Sequence, residues 1–206
     1  MPNPKKLKFV CTRCGNCCTD KNTLVNVTHL DILRIVKGLK LSLEESLEIF
    51  GFYVYIETLN NNILKKMVIS PIETEKGLAF IGLIKNDKNE CYFYDGKNKR
   101  CLIHSLRPMF CRSFPFSFIP LRGKDNRSEK KIEIIYTEKA IEYCPGIGND
   151  APLIDVDDWI NLANKTLSEL EDNYSFNENW NISVKNKEIP PSAKNYIRRI
   201  FKLIEG

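Results

Sequence analysis

Apolar residues recur at helical spacing in several stretches of the chain. Within Asn26-Val27-Thr28-His29-Leu30-Asp31 and beyond, positions Leu30, Leu33, Ile35, Val36 and Leu39 share a face. Thr28, with an acid three residues on, has the form of a capping box that opens a helix. A second, short helix is predicted from Leu43 to Phe50, ended by Gly51. Farther on, Val156, Trp159, Ile160, Ala163, Leu167 and Leu170 make an amphipathic segment. Asp155, Asp157 and Asp158 stand where a helix N-terminus favours negative charge. Ser192 precedes a last helix with Tyr196, Ile197, Ile200, Phe201 and Ile204 on one face and Lys194, Arg198, Arg199 and Lys202 on the rest, a basic face read as solvated.

Between positions 52 and 84 the pattern changes. Phe52-Tyr53-Val54-Tyr55-Ile56, Met67-Val68-Ile69 and Leu78-Ala79-Phe80-Ile81 are separated by Asn-rich or Gly-containing turns, as antiparallel strands would be. Cys91-Tyr92-Phe93-Tyr94-Asp95-Gly96 reads as a strand entering a turn, and Lys131 to Thr137 as another strand. The expected fold is α+β, with a small antiparallel β part, flanking helices and loops organised by a cysteine-ligated metal centre. Residues 1–150 would form that cysteine-cluster domain, and 151–206 a helical C-terminal extension packed on it.

A chain of 206 residues can bury a sizeable core without disulfides. Eight cysteines are many for it, and four of them lie between positions 11 and 18. The start, Met-Pro-Asn-Pro-Lys-Lys-Leu-Lys-Phe-Val, reaches the cysteines before an apolar h-region can form, so no secretory signal is expected and a reducing cytoplasm is favoured. Charges break every apolar run, so no membrane span is expected. The absence of glutamine is a trait of heat-loving organisms, whose intracellular proteins can be rich in disulfides, but twenty asparagines weigh against that reading. A net charge of +5 with both signs interleaved describes a solvated surface rather than a nucleic-acid footprint.

The chemistry resides in the cysteines. Cys11-x-x-Cys14 is the spacing of a tight loop whose sulfurs converge on one cation, and Cys17 repeats the interval. Three thiolates so spaced, with a remote Cys144-Pro145, open like a bacterial ferredoxin ligand run, although Cys18 directly follows Cys17 where three residues should intervene. If the segment were extended, Cys17 and Cys18 would point to opposite sides and serve different sites. Together with Cys91, Cys101, Cys111 and Cys144 they suffice for two four-thiolate sites, or for one site with further thiols. Iron–sulfur is favoured over zinc because of the adjacent pair and the Cys-Pro. In the stretch from Cys101 to Pro115, Arg107 and Arg112 lie beside thiolates, where a cation can neutralise an anionic cluster, and Arg107 is also a candidate to grip a cofactor carboxylate. His104 is a candidate zinc ligand but reads first as a core or surface histidine, and His29 as an incidental helix residue.

Cys-x-x-Cys-Gly-x-Cys-Cys at 11–18, Asp31-Ile32 after Val25-x-Val27-Thr28, Cys91, Cys101-x-Ile103-His104-x-x-Arg107-Pro108-x-x-Cys111-Arg112-x-Phe114-Pro115 and Cys144-Pro145-Gly146 together resemble the YkgJ-type, or CxxCxxCC, family. The resemblance implies a zinc- or iron-chelating protein with all eight cysteines at family positions. That family is similar to flagellin lysine N-methylase, which implies an iron–sulfur protein using S-adenosylmethionine to methylate lysines of a protein substrate. No G-x-G-x-x-G follows a strand and no C-x-x-x-C-x-x-C occurs, so the resemblance alone carries the methyltransferase idea. The alternative is a non-enzymatic module that binds metal or a protein partner. An electron carrier ranks last, because this chain is larger than a carrier needs.

Overall fold

The computed structural model describes residues 6–54, 68–121 and 131–205. A single helical turn, α1 (Asn16–Thr19), sits inside the cysteine run and is followed by α2 (His29–Leu39) and α3 (Leu43–Ile49). Strands β1 (Phe50–Val54), β2 (Ile72–Thr74) and β3 (Gly77–Leu83) form an antiparallel sheet of order β1-β3-β2. A two-residue hairpin, β4 (Tyr94–Asp95) and β5 (Arg100–Cys101), leads through a 3₁₀ turn (His104–Leu106) to α4 (Met109–Ser113). The β6 (Phe116–Leu121) and β7 (Lys131–Tyr136) pair precedes α5 (Glu138–Tyr143), and two C-terminal helices follow, α6 (Val156–Lys185) and α7 (Ala193–Glu205). The α+β class with a helical C-terminal region is therefore observed.

The predicted capping box of α2 forms, and α3 has a second one that was not anticipated. Thr28 accepts from the Asp31 amide while Asp31 accepts from the Thr28 amide, and Ser42 with Glu45 repeats the arrangement at α3. The α3 helix stops at Ile49, one residue short of the expectation, because Phe50 and Gly51 already pair with Leu83 and Gly82. Tyr55, Ile56 and Met67 of the anticipated strands lie outside the described residues; Val68 and Ile69 are not in a strand, and β2 begins three residues later.

One core joins the two ends of the chain. Ile32, Ile35 and Val36 of α2, Phe50, Ile72 and Ile81 of the sheet, and Trp180, Tyr196, Ile197 and Ile200 of the C-terminal helices pack in a single apolar cluster. Burial of each of these large side chains stabilises by about 1.5–3 kcal/mol. A second cluster holds Leu7, Phe116, Ile134 and Ile154 together, with Phe9 and Trp159 against it. The α6 helix runs fifteen residues past Leu170, where its regular apolar stripe ends in sequence, and its inner face continues with Phe176 and Trp180 among buried asparagines. Asn177 and Asn181 donate from their side-chain amides to the Ser70 and Pro71 carbonyls at 2.8 and 3.1 Å. The Asn181 carbonyl accepts from the Glu73 amide, and the Trp180 indole donates to the Glu73 carbonyl. The free edge of β2 is thereby covered by helix side chains rather than by another strand. Among the described residues no helix is long and apolar enough to cross a membrane.

Candidate metal centre

The cysteine run is shaped by two left-handed residues, Arg13 at φ 54° and Gly15 at φ 83°. Gly15 is required twice over, since a Cβ there would also lie 2.2 Å from the Tyr94 hydroxyl. It caps the turn of α1, and the Cys18 and Thr19 amides donate back to its carbonyl. Cys17 and Cys18 are thus on a helical turn and not on an extended segment, and their sulfurs stand 3.9 Å apart. The expectation that they point to opposite sides fails because Gly15 starts a helix there. Beyond the run, residues 25–27 pair along β3, with the Leu83 amide on the Val25 carbonyl and the Val27 amide on the Ile81 carbonyl.

The remaining cysteines are brought in by backbone contacts. The Cys91 amide donates to the Cys18 carbonyl at 2.8 Å, and Cys101 lies opposite Tyr94 in the small hairpin. Cys111 sits on α4, whose first residue, Met109, donates its amide to the buried Asp31 carboxylate at 2.9 Å. Cys144 follows α5; the Val10 amide donates to the Gly146 carbonyl, and the Asn16 side chain donates to the Tyr143 carbonyl. A Cβ on Gly146 would come within 2.3 Å of the Val10 carbonyl oxygen, so only glycine lets the two ends of the motif region meet.

All eight thiols line two adjoining cavities. The larger, about 160 Å³, is bordered by Cys11, Cys17, Cys18, Cys91, Cys101 and Cys111, and the smaller, about 60 Å³, by Cys11, Cys14, Cys17, Cys111 and Cys144. Among the described residues no carboxylate borders either one, whereas Arg13, Lys99, Arg100 and Arg107 border the larger. A donor set of thiols, with His104 at the edge of the larger cavity, suits zinc or iron–sulfur and not a hard cation such as magnesium. Among the described residues, no three Cys, His, Asp or Glu side chains converge at the separations of one ion's ligands.

Electrostatics point the same way. The Cys17 thiol is lowered to about 7, first by the hydrogen bond it shares with Cys18 and further by the Arg107 charge, against the opposing effect of burial. Cys18 is raised, by that same hydrogen bond, by burial and by the neighbouring thiolates. Burial pushes Cys91, Cys101, Cys111 and Cys144 up as well. Cys18, Cys91, Cys101, Cys111 and Cys144 thus keep their protons unless a cation takes their place, and a bound metal would supply the missing positive charge.

The arginines divide. Arg107 borders both cavities and donates to the His104 carbonyl at 3.1 Å and to the Cys111 carbonyl at 3.3 Å. Arg112, named with it as a cofactor-binding candidate, borders neither cavity and pairs with Glu169 at 3.0 Å. Successive helical residues diverge by about 100°, so with Cys111 turned to the thiols its neighbour is turned away. Arg34 also reaches Glu169, at 2.9 Å, so Asp31, Arg34, Arg112 and Glu169 form one buried ionic network under α4. His29 is buried, stacked on Phe176 at 4.3 Å and bonded to Asn173, while His104 borders the larger cavity. Arg13, Lys99 and Arg100 were not singled out from sequence; the signal available was their position inside or immediately before a cysteine motif.

An α+β chain with eight thiols around adjoining cavities, and no acids there among the described residues, has the character of a thiolate metal-binding protein. It belongs to the CxxCxxCC family, whose model, described as "Putative zinc- or iron-chelating domain", matches residues 10–145. The chain is 28% identical over 141 residues to the uncharacterized protein MJ0661 of Methanocaldococcus jannaschii. That match covers 68% of this chain and 59% of the relative, so the chain spans about three-fifths of that protein's length. No solved structure matches.

Proposed function

We propose that this protein carries an iron–sulfur centre held by its cysteines. The observation that carries the reading is the spread of the thiols: six border a cavity of about 160 Å³ without any three meeting at single-ion distances among the described residues. Two thiolates on one tetrahedral zinc, at about 2.3 Å each, stand about 3.8 Å apart. Cys17 and Cys18, neighbours on one helical turn, stand 3.9 Å apart, but no third thiol joins them at ligand distance among the described residues. A body of several irons and sulfides reaches more widely placed thiols, and a thiolate-ligated cluster is anionic, which suits a wall with four cationic side chains and no acid among the described residues. Protein purified anaerobically without added metal is expected to be brown, with iron and acid-labile sulfide in similar amounts. Colourless protein with stoichiometric zinc would overturn the iron–sulfur reading and leave a zinc-stapled module.

A second reading, methyl transfer from S-adenosylmethionine to a protein lysine, draws support from a further cavity. It measures about 330 Å³, is walled mainly by Phe110, Phe114, Phe116, Leu167 and Leu170, and reaches Cys17 and Cys111. It would give a substrate access to the centre, as a catalytic site requires and a closed structural one does not. Arg107 uses two of its five N–H donors on carbonyls, leaving three for the donor's carboxylate. Calorimetric titration of the metal-loaded protein with S-adenosylmethionine tests this; no heat at high donor concentration removes it.

A further inference from the structure

We propose that the eight thiols form two adjoining four-thiolate sites, one of Cys11, Cys14, Cys17 and Cys144 and one of Cys18, Cys91, Cys101 and Cys111. The inference rests on the metal-binding reading above and deepens it. Its first support is the division between the two cavities. Cys14 and Cys144 border only the smaller, and Cys18, Cys91 and Cys101 border only the larger. Five of the eight are therefore assigned by position alone.

The backbone builds each group separately. The smaller cavity closes where the chain before Cys11 runs against the chain after Cys144, through the Val10 amide on the Gly146 carbonyl and the Phe9 amide on the Pro152 carbonyl, both at 3.0 Å. The Asn16 side chain fastens the start of α1 to the same place through the Tyr143 carbonyl at 2.9 Å. The larger cavity is assembled from other connections: Cys91 to Cys18 by one backbone bond, the Tyr94 amide to the Cys91 carbonyl by another, and Tyr94 to Cys101 across the hairpin.

Cys11, Cys17 and Cys111 border both cavities and complete the two sets. Cys11-x-x-Cys14-x-x-Cys17 is a local loop spacing that turns successive sulfurs to one centre, which places Cys11 and Cys17 with Cys14. Cys111 then supplies the fourth thiol to the group that lacks one. The 3.9 Å between the Cys17 and Cys18 sulfurs is the shared edge of the two sites, and Arg107 borders both. The adjacent cysteines are thus the seam between two centres.

The test uses residues that border one cavity only. Cys14→Ser and Cys144→Ser should each remove about half of the bound metal, and the two together no more than either alone; Cys91→Ser and Cys101→Ser should behave likewise for the other half. Cys144→Ser combined with Cys91→Ser should remove nearly all of it. Loss of all metal from each single variant, with circular dichroism as in the parent, would overturn the partition. Native mass spectrometry of the unmodified chain during stepwise chelation is the check that needs no variant. Two successive mass losses support two centres, and a single loss from a metal-loaded chain overturns the partition alone. A chain that never carries metal would overturn the metal-binding reading itself.

Discussion

Replacing Asp31 by Asn tests whether the ionic network beneath α4 holds the metal region in place. The Asp31 carboxylate is fully buried and accepts from the Thr28 amide at 3.1 Å, the Met109 amide at 2.9 Å and the Arg34 guanidinium at 2.5 Å, with Arg112 at 4.0 Å. Asparagine keeps the shape but turns one acceptor into a donor facing donors, and it leaves two arginines to share Glu169. Removing one partner of a buried ion pair costs about 3–5 kcal/mol, which already includes the orphaned amide. Because Glu169 still compensates both guanidinium groups, the lower end is expected, about 3 kcal/mol. At about 2–4 °C per kcal/mol for a chain of this size, the melting temperature should fall by about 6–12 °C. Urea unfolding and thermal melting of the metal-free protein measure this. Metal content of the folded variant gives a second readout, since Met109 opens the helix that carries Cys111. A variant within about 0.5 kcal/mol of the parent and fully metal-loaded would refute the argument.

Gly15→Ala should cost about 1–3 kcal/mol, from the left-handed backbone and the contact with Tyr94, and should lower metal content; a variant with parental melting and loading contradicts the loop geometry. Tyr196→Phe removes a buried hydroxyl that donates to the Asn177 carbonyl oxygen at 2.6 Å and should destabilise by about 1–3 kcal/mol in urea unfolding, whereas no change would mean that Asn177 finds another partner. Burial holds His29 below its ordinary 6.5, so the folded state resists protonation. Its contribution is complete above about pH 6.5 and is lost as the pH falls towards the lowered folded value. Urea midpoints of metal-free protein should therefore decline as the pH falls below about 6.5, and more steeply in the parent than in His29→Gln, which keeps only the contribution of His104; equal slopes would refute the assignment.

Sequence carried the Thr28 capping box, the α2 face and the cysteine motifs because these are local patterns. The partner of Asp31 was not legible, since Met109 lies 78 residues away and offers only a backbone amide. The length of α6 was hidden for a related reason: its inner face continues as Phe176 and Trp180 interspersed with Asn173, Asn177 and Asn181, and those asparagines, which an apolar periodicity does not register, are satisfied by His29, Tyr196 and the backbone of residues 70–73. β6 was missed because Pro115 and Pro120 interrupt its pattern; its outward positions match β7 only once the pairing is known. The orientation of Cys17 and Cys18 turned on the backbone state of Gly15, which spacing alone does not specify. That cysteines eighty or more residues apart would border common cavities followed from their chemistry; which of them share a cavity required the β4–β5 hairpin and the pairing of Val10 with Gly146.

The most direct measurement of the central claim is X-ray absorption at the metal edge of anaerobically purified protein, which reads the atoms bound to the metal. A first shell of sulfur with a further metal–metal distance is predicted, and it should be depleted in a variant lacking Cys11 and Cys14. A first shell of oxygen and nitrogen, unchanged by removal of those cysteines, would contradict the claim that these thiols hold the metal.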